Sequence, residues 1–252
     1  MNAIAVLAKN YSKELIDFYG SISRDNYDVY FFIDDNSEKI IINNPTYIIQ
    51  IFDSLCEKYG YHSFNSLIDK NKNGSLTVSA WDKAIFYFCK LNQSYNQIWF
   101  VEDDVFVPDI NIFPSIDQDF PGEDILSGKR VLNTSGDLEG WSWWGKIPSS
   151  NLPLPWAKSM VCAVRLSQKL LGILGNYVEK NPQSNKFIEF IFHTLALHHH
   201  LEVKEIDNFR GIWWRKDWKK EDLNMKTLYH PVKLIAQQIE FRNYLTNLKE
   251  NQ

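Results

Sequence analysis

The 252-residue sequence is short of cysteine, of net positive charge and of long apolar runs, and each shortage closes off a class of protein. Three cysteines, Cys56, Cys89 and Cys162, cannot form a closed disulfide framework. Cys56 and Cys89 fall in apolar helical patterns and Cys162 in an apolar run, which reads as buried reduced thiols. With 27 Lys and Arg against 31 Asp and Glu, the net charge of −4 lacks the basic footprint of a nucleic-acid binder. The first apolar stretch, Ala3 to Ala8, is too short for a signal or a membrane span, and no later run reaches ~18 apolar residues. A soluble, cytoplasmic chain without a transmembrane segment is therefore expected. There is no internal repeat, low-complexity tract or linker.

Aromatics are abundant instead, at 15% of residues with nine tryptophans. A core needs only a few Trp, so a surplus in loops points to stacking surfaces, for which sugars are a common client. The N-terminal half alternates short apolar strands with helical patterns, the signature of βαβ units and a mostly parallel sheet. Strands are expected at Ala3 to Leu7, at Tyr27 to Ile33 and at Ile98 to Val101. Helices are expected from Ser12 to Tyr19, after Pro45 with Ile48, Ile49, Phe52 and Leu55 on one face, and from Ser79 to about Leu91 with Trp81, Ala84, Ile85, Phe88 and Leu91 as the apolar stripe. The second half reads as a strand over Asp124 to Leu132, then a long Trp- and Pro-rich loop from Gly136 to Trp156. An apolar run at Met160 to Val164 follows, with helices from Ser167 and Asn185, a strand near Leu201 to Ile206, and an amphipathic helix over Leu234 to Leu248.

The second and third strands end in acidic clusters, Asp34-Asp35 and Glu102-Asp103-Asp104. In open parallel sheets ligands bind beyond the carboxyl ends of the strands. Two carboxylates at i and i+2 after a buried strand can reach a divalent ion and the diphosphate that it bridges, and a hard ion such as Mn²⁺ or Mg²⁺ prefers oxygen ligands. The stretch IWFVEDDVFVP, Ile98 to Pro108, resembles the acidic DxD-type motif of GT-A-fold glycosyltransferases, with Glu in place of the first Asp. The layout looks closest to small glycosyltransferases of large DNA viruses and related algal or bacterial proteins.

The resemblance implies an α/β fold with a GT-A-like, mostly parallel central sheet flanked by helices, in one domain over 1–252. A Rossmann-like nucleotide-sugar-binding half would occupy about 1–108, an acceptor-binding half about 109–233, and a C-terminal helix 234–252. It implies a hexosyl- or pentosyltransferase acting on a nucleotide sugar, a UDP-sugar favoured, with a glycan acceptor. Glu102 and Asp104 would hold the metal, with Asp103 beside the donor. His230, extended ahead of Pro231, would complete the metal shell, with Lys233 on the diphosphate. Asp34 and Asp35 would contact base or ribose, and the backbone at Ala8, Lys9 and Asn10 would line the nucleotide pocket. Glu189, at the start of a helix, would be the general base of an inverting reaction, kept ionised by the helix dipole, with Asp137 and Glu139 as rivals. Trp141, Trp143, Trp144, Trp213 and Trp214 are candidate acceptor platforms.

Two other motifs read as bland. Asp69 to Gly74 opens like a calcium loop, but its twelfth position is Ala80, and Lys70 and Lys72 oppose a cation. His198, His199 and His200 cannot all face one ion from a helix, and they sit where a helix end favours positive charge. A nucleotidyltransferase would need a Gly-rich basic loop after the first strand, and Ala8-Lys9-Asn10-Tyr11-Ser12 has no glycine. A carbohydrate-binding module would have no need for acidic strand ends together with a late histidine.

Overall fold

The computed structural model describes residues 1–22, 26–34, 47–65 and 78–250. Its centre is a seven-stranded sheet in the order β3-β2-β1-β4-β8-β5-β9. These strands are β1 (Asn2–Ala8), β2 (Tyr27–Ile33), β3 (Tyr47–Ile49), β4 (Gln97–Glu102), β5 (Ile125–Ser127), β8 (Ala163–Ser167) and β9 (Val203–Glu205). All neighbouring pairs are parallel except those that β8 makes with β4 and β5. The fold is thus α/β with a mostly parallel sheet, and strands from the second half of the chain extend the same sheet.

The sheet is covered on both faces, which is why its strands read as continuous apolar runs. Alternation sorts the side chains: Ala3, Ala5, Leu7, Ile98 and Phe100 enter one core, and Ile4, Val6, Trp99 and Val101 the other. The first core is closed by α3 (Ala80–Phe86), α5 (Gln168–Lys180) and α6 (Ile188–His198). The second is closed by α1 (Lys13–Tyr19) and α4 (Ile112–Asp119). Ser12 caps α1 by accepting from the Leu15 N–H, and Ser79 and Asp82 form a capping box at the start of α3. α2 (Asp53–Lys58) and α7 (Ile235–Glu250) complete the helices among the described residues, and a small third core sits under α7 around Phe106, Trp218, Tyr229 and Phe241. Among the described residues no helix is long and apolar enough to cross a membrane.

Several boundaries differ from expectation. Ile48 and Ile49 do not share a helix with Phe52 and Leu55; they pair with β2 as the edge strand β3, because a Tyr-Ile-Ile segment fits a pleated edge better than a helix start. The run over Asp124 to Leu132 breaks at Gly128 into β5 and a hairpin strand β6 (Val131–Asn133), which pairs with β7 (Trp156–Lys158). The apolar run at Met160 to Val164 enters a strand only at Ala163, and the Trp-rich loop contains a 3-10 segment over Trp144–Ser150. Helix α3 passes into a π turn over Tyr87–Leu91, whose wider pitch rotates Leu91 off the apolar stripe into solvent. The Asp69 to Gly74 motif lies outside the described residues.

Candidate active site

The acidic triplet is a tight turn. The Val105 N–H donates to the Glu102 carbonyl at 3.0 Å, so Glu102 and Asp104 occupy alternate corners and Asp103 turns the other way. Asp103 accepts from the Lys9 N–H at 3.2 Å, tying the turn to the end of β1. Glu102 is held from the opposite face, where the Trp81 indole donates to it at 2.7 Å while its ring stacks on Phe100 with centroids 5.6 Å apart.

His230 is brought to this turn by main-chain stitching. The two-stranded pair β10 (Gly211–Ile212) and β11 (Tyr229–His230) lies against it. Phe106 and Tyr229 exchange both backbone hydrogen bonds, and the Val232 N–H donates to the Asp104 carbonyl at 2.7 Å. Gln238 of α7 donates to the carbonyls of Asp103 and Val232, locking both segments. Gly211 permits the approach, since a Cβ there would meet the Leu228 carbonyl at 2.3 Å. His230 Nδ1 donates to the Trp213 carbonyl at 2.7 Å, which leaves Nε2 facing Asp104 Oδ1 at 3.3 Å and Glu102 Oε2 at 3.8 Å. A carbonyl that holds Nδ1–H in this way fixes the tautomer and aims the Nε2 lone pair.

Two clefts meet at this cluster. One, of about 710 Å³, is lined by Glu102, Cys162, His230, Glu189, Lys158 and the rings of Trp141, Trp143, Trp214 and Phe187, among others. The other, of about 700 Å³, lies beyond His230 and Asp104 and carries Arg215, Lys216 and Lys233. The wall between them is thus acidic, one side aromatic and the other basic.

Electrostatics mark the same groups. Burial pushes Glu102 up to about 7, with Asp104 adding to the rise and Trp81 opposing it. Burial also raises Asp103, against the Lys9 hydrogen bond. For His230 burial opposes the charged form, but Asp104 and Glu102 outweigh it and the value rises. Carboxylates crowded at this cost fit a cation, and the donor set of two carboxylates and one imidazole suits Mn²⁺.

Glu189 opens α6 without a side-chain cap before it and looks into the aromatic cleft. The expectation that the helix dipole would keep it readily ionised is corrected: burial raises it to about 7, with Lys158 opposing. Lys158 sits over the Trp141 ring at 4.6 Å, and burial lowers its own value.

The remaining candidates divide. Asp137 and Glu139 are exposed and line neither cleft; Asp137 is held by Ser135 within its own turn. Trp144 is corrected to a core residue, 3% exposed and packed against Trp141 and Trp156. Trp213 and Trp214 are 53% and 67% exposed; Trp214 borders both clefts, whereas Trp213 serves through its carbonyl on His230. At the ends of β1 and β2, Ala8 is buried and its carbonyl accepts from the Asp34 N–H at 3.1 Å. Asp34 Oδ1 is buried with no hydrogen-bond partner among the described residues, and burial raises its carboxyl. Asp35 lies outside the described residues. Sequence reasoning gave no site role to Cys162, which it read as a buried thiol, or to Lys158, Arg215 and Lys216. The basic run after Trp213-Trp214 was a usable signal for the last two, whereas nothing local marks the first two.

No protein-family model matches the chain, and no curated protein matches its sequence. Among solved structures it is similar to the galactosyltransferase LgtC in complex with donor and acceptor sugar analogues, at 11% identity and TM-score 0.48, covering 98% of this chain and 96% of that one. It is also similar to mouse xyloside xylosyltransferase 1 (10% identity, TM-score 0.41, 82% and 85% covered). A third is the bifunctional glycosyltransferase WbbM (12% identity, TM-score 0.44, 97% of this chain and 44% of that one). At this distance no substrate or residue role transfers.

Proposed function

We propose that the chain is a metal-dependent glycosyltransferase that moves a hexosyl or pentosyl group from a nucleotide sugar, a UDP-sugar first, to a hydroxyl of a glycan acceptor with inversion. The carrying observation is the meeting of Glu102, Asp104 and His230 on the wall between an aromatic cleft that holds Glu189 and a basic cleft that holds Lys233. Glu102, Asp104 and His230 would hold Mn²⁺ or Mg²⁺, which supplies charge stabilisation for a departing diphosphate. Lys233, Arg215 and Lys216 would take the remaining phosphate charge. The Asp34 carboxylate, whose Oδ1 has no hydrogen-bond partner among the described residues, would accept from base or ribose beside the backbone of Ala8 and Lys9. Asp103 serves indirectly, by fixing that backbone to the acidic turn.

On the aromatic side, the rings of Trp141, Trp143 and Trp214 suit the C–H faces of an acceptor sugar. Glu189 would take the proton of the acceptor hydroxyl as its oxygen bonds the anomeric carbon and the bond to the diphosphate breaks. A value near 7 suits that task better than a fully acidic carboxylate.

Incubation of the purified chain with UDP- and GDP-sugars, with and without Mn²⁺, tests this. Mn²⁺-dependent release of nucleoside diphosphate is expected, UDP above GDP, with product of inverted anomeric configuration by NMR. Saccharide binding without hydrolysis of any sugar nucleotide under any divalent ion would refute the enzyme.

A further inference from the structure

Cys162 stands out once strand register is known. β4 and β8 run antiparallel with Val101 opposite Ala163, so the next pair is Glu102 and Cys162, and the Glu102 N–H donates to the Cys162 carbonyl at 2.9 Å. Directly opposed residues present their side chains to the same face. Here that face is the floor of the aromatic cleft, where His230 also arrives. One ligand atom each from Glu102, Cys162 and His230 lies within 4.8 Å of the others. Closing to metal–ligand bonds of about 2.0–2.3 Å would ask these atoms to move on the order of 1 Å.

The donor chemistry differs from that of the Asp104 side. A thiolate, an imidazole and a carboxylate suit Zn²⁺ or Co²⁺, whereas Mg²⁺ prefers oxygen alone. Two ligands are already held by their neighbours: His230 through the Trp213 carbonyl at 2.7 Å and Glu102 through the Trp81 indole at 2.7 Å. Three protein ligands with the cleft on the fourth side match the open arrangement of an exchangeable zinc site.

We propose that Glu102, Cys162 and His230 form a binding site for a thiophilic divalent ion, Zn²⁺ as the type, which competes with the ion of the Asp104 side. Both positions need the single lone pair on His230 Nε2, so the two ions exclude one another and Zn²⁺ inhibits Mn²⁺-dependent turnover. The thiol proton passes to solvent as the sulfur–metal bond forms. This inference rests on the proposed ion site but not on sugar transfer.

The test is a Co²⁺ titration of the full chain without sugar nucleotide, followed by absorption. A thiolate-to-cobalt charge-transfer band with intense tetrahedral visible bands is expected. Cys162→Ser should abolish the charge-transfer band and weaken Zn²⁺ by more than about 10-fold while Mn²⁺ affinity is kept; Cys56→Ser and Cys89→Ser should keep the band. Should Cys162→Ser fail to fold, thiol labelling of the unmodified chain decides: Zn²⁺ should protect Cys162. Co²⁺ binding without the band, a band that survives in folded Cys162→Ser, or labelling unaffected by Zn²⁺ would each overturn the proposal. A band without any donor turnover would remove only the transferase reading; Mn²⁺-dependent turnover without the band would remove only this one.

Discussion

Strand β4 borders a tryptophan–carboxylate cluster on either side of the sheet, and the two clusters balance donors and acceptors in opposite ways. On one side Asp117 accepts from Arg165 at 2.7 Å, from Trp99 at 3.1 Å, from Asn2 at 2.7 Å and from the Tyr27 hydroxyl. Four donors, one a fully buried cation, saturate a single carboxylate. On the other side the carboxylates of Glu102, Asp103 and Asp104 draw mainly on neutral donors, the Trp81 indole and the Lys9 N–H among them, and among the described residues Glu102 and Asp104 have no ion-pair partner but His230. The first cluster is complete without a ligand. The second is short of positive charge, as the proposed cation site requires.

The contrast predicts opposite consequences for mutation. Asp117→Ala leaves the buried Arg165 guanidinium with only Glu123 among the described residues, through its carbonyl at 3.2 Å and its carboxylate at 3.9 Å, and should cost about 3–5 kcal/mol, read as a lowered denaturant midpoint. A cost below about 1 kcal/mol would mean that Arg165 finds another acceptor and that the cluster is not what holds this side of the sheet. Asp104→Asn removes one of the crowded negative charges, so the midpoint should stay level or rise. Metal-dependent turnover should nonetheless fall by about 10²-fold or more, the scale of losing one preorganised electrostatic group. Turnover near the parent level at limiting Mn²⁺ would move the ion elsewhere.

The acidic turn was legible because it interrupts an apolar strand, and the sheet was legible because β1, β2 and β4 are buried on both faces. Long-range register was not legible. No local pattern reveals that Cys162 faces Glu102, since that depends on β8 inserting antiparallel between β4 and β5. Lys158 is hidden for the same reason: it reaches Glu189 only because β7 packs on α6, with Thr194 and Ala157 exchanging hydrogen bonds at 3.0 Å. Trp144 misled in the other direction. A Trp-rich loop suggests an open platform, but Trp144 packs on both Trp141 and Trp156, so one ring fills the core while a neighbour lines the cleft.

Glu189 sharpens the comparison, as a carboxylate on the ligand side that is neither saturated nor a metal ligand. The proposed base catalysis needs its ionised form, so with Mn²⁺ saturating, kcat/KM should rise with pH through about 7 and then level. Glu189→Gln should lose transfer by about 10²-fold and lose that limb of the profile, with donor affinity unchanged. Lys158→Met removes the cation that opposes the shift and should move the limb to higher pH. A profile indifferent to both changes would reassign the base.

A third buried polar group gives the smallest effect and tests whether donor balance alone predicts pH behaviour. His193 on α6 pairs Nε2 with Ser127 Oγ at 2.9 Å, while its Nδ1 is buried with no partner among the described residues. Burial, with Arg130 adding to it, depresses this imidazole from 6.5 to about 3. Between those values the unfolded chain binds a proton that the folded chain refuses, so stability is lost as pH falls below about 6.5. From pH 7 to pH 5 the loss from this group alone is about 2 kcal/mol, at 1.36 kcal/mol per unit. His193→Gln carries no proton in either state, so its unfolding free energy should fall less over that interval, by about the same 2 kcal/mol, whatever its stability at pH 7. Only the slopes need comparing, which separates the titration from any packing cost of the substitution. Parallel slopes would mean that His193 protonates within the fold, and that an unpartnered nitrogen in this core is not the penalty its burial implies.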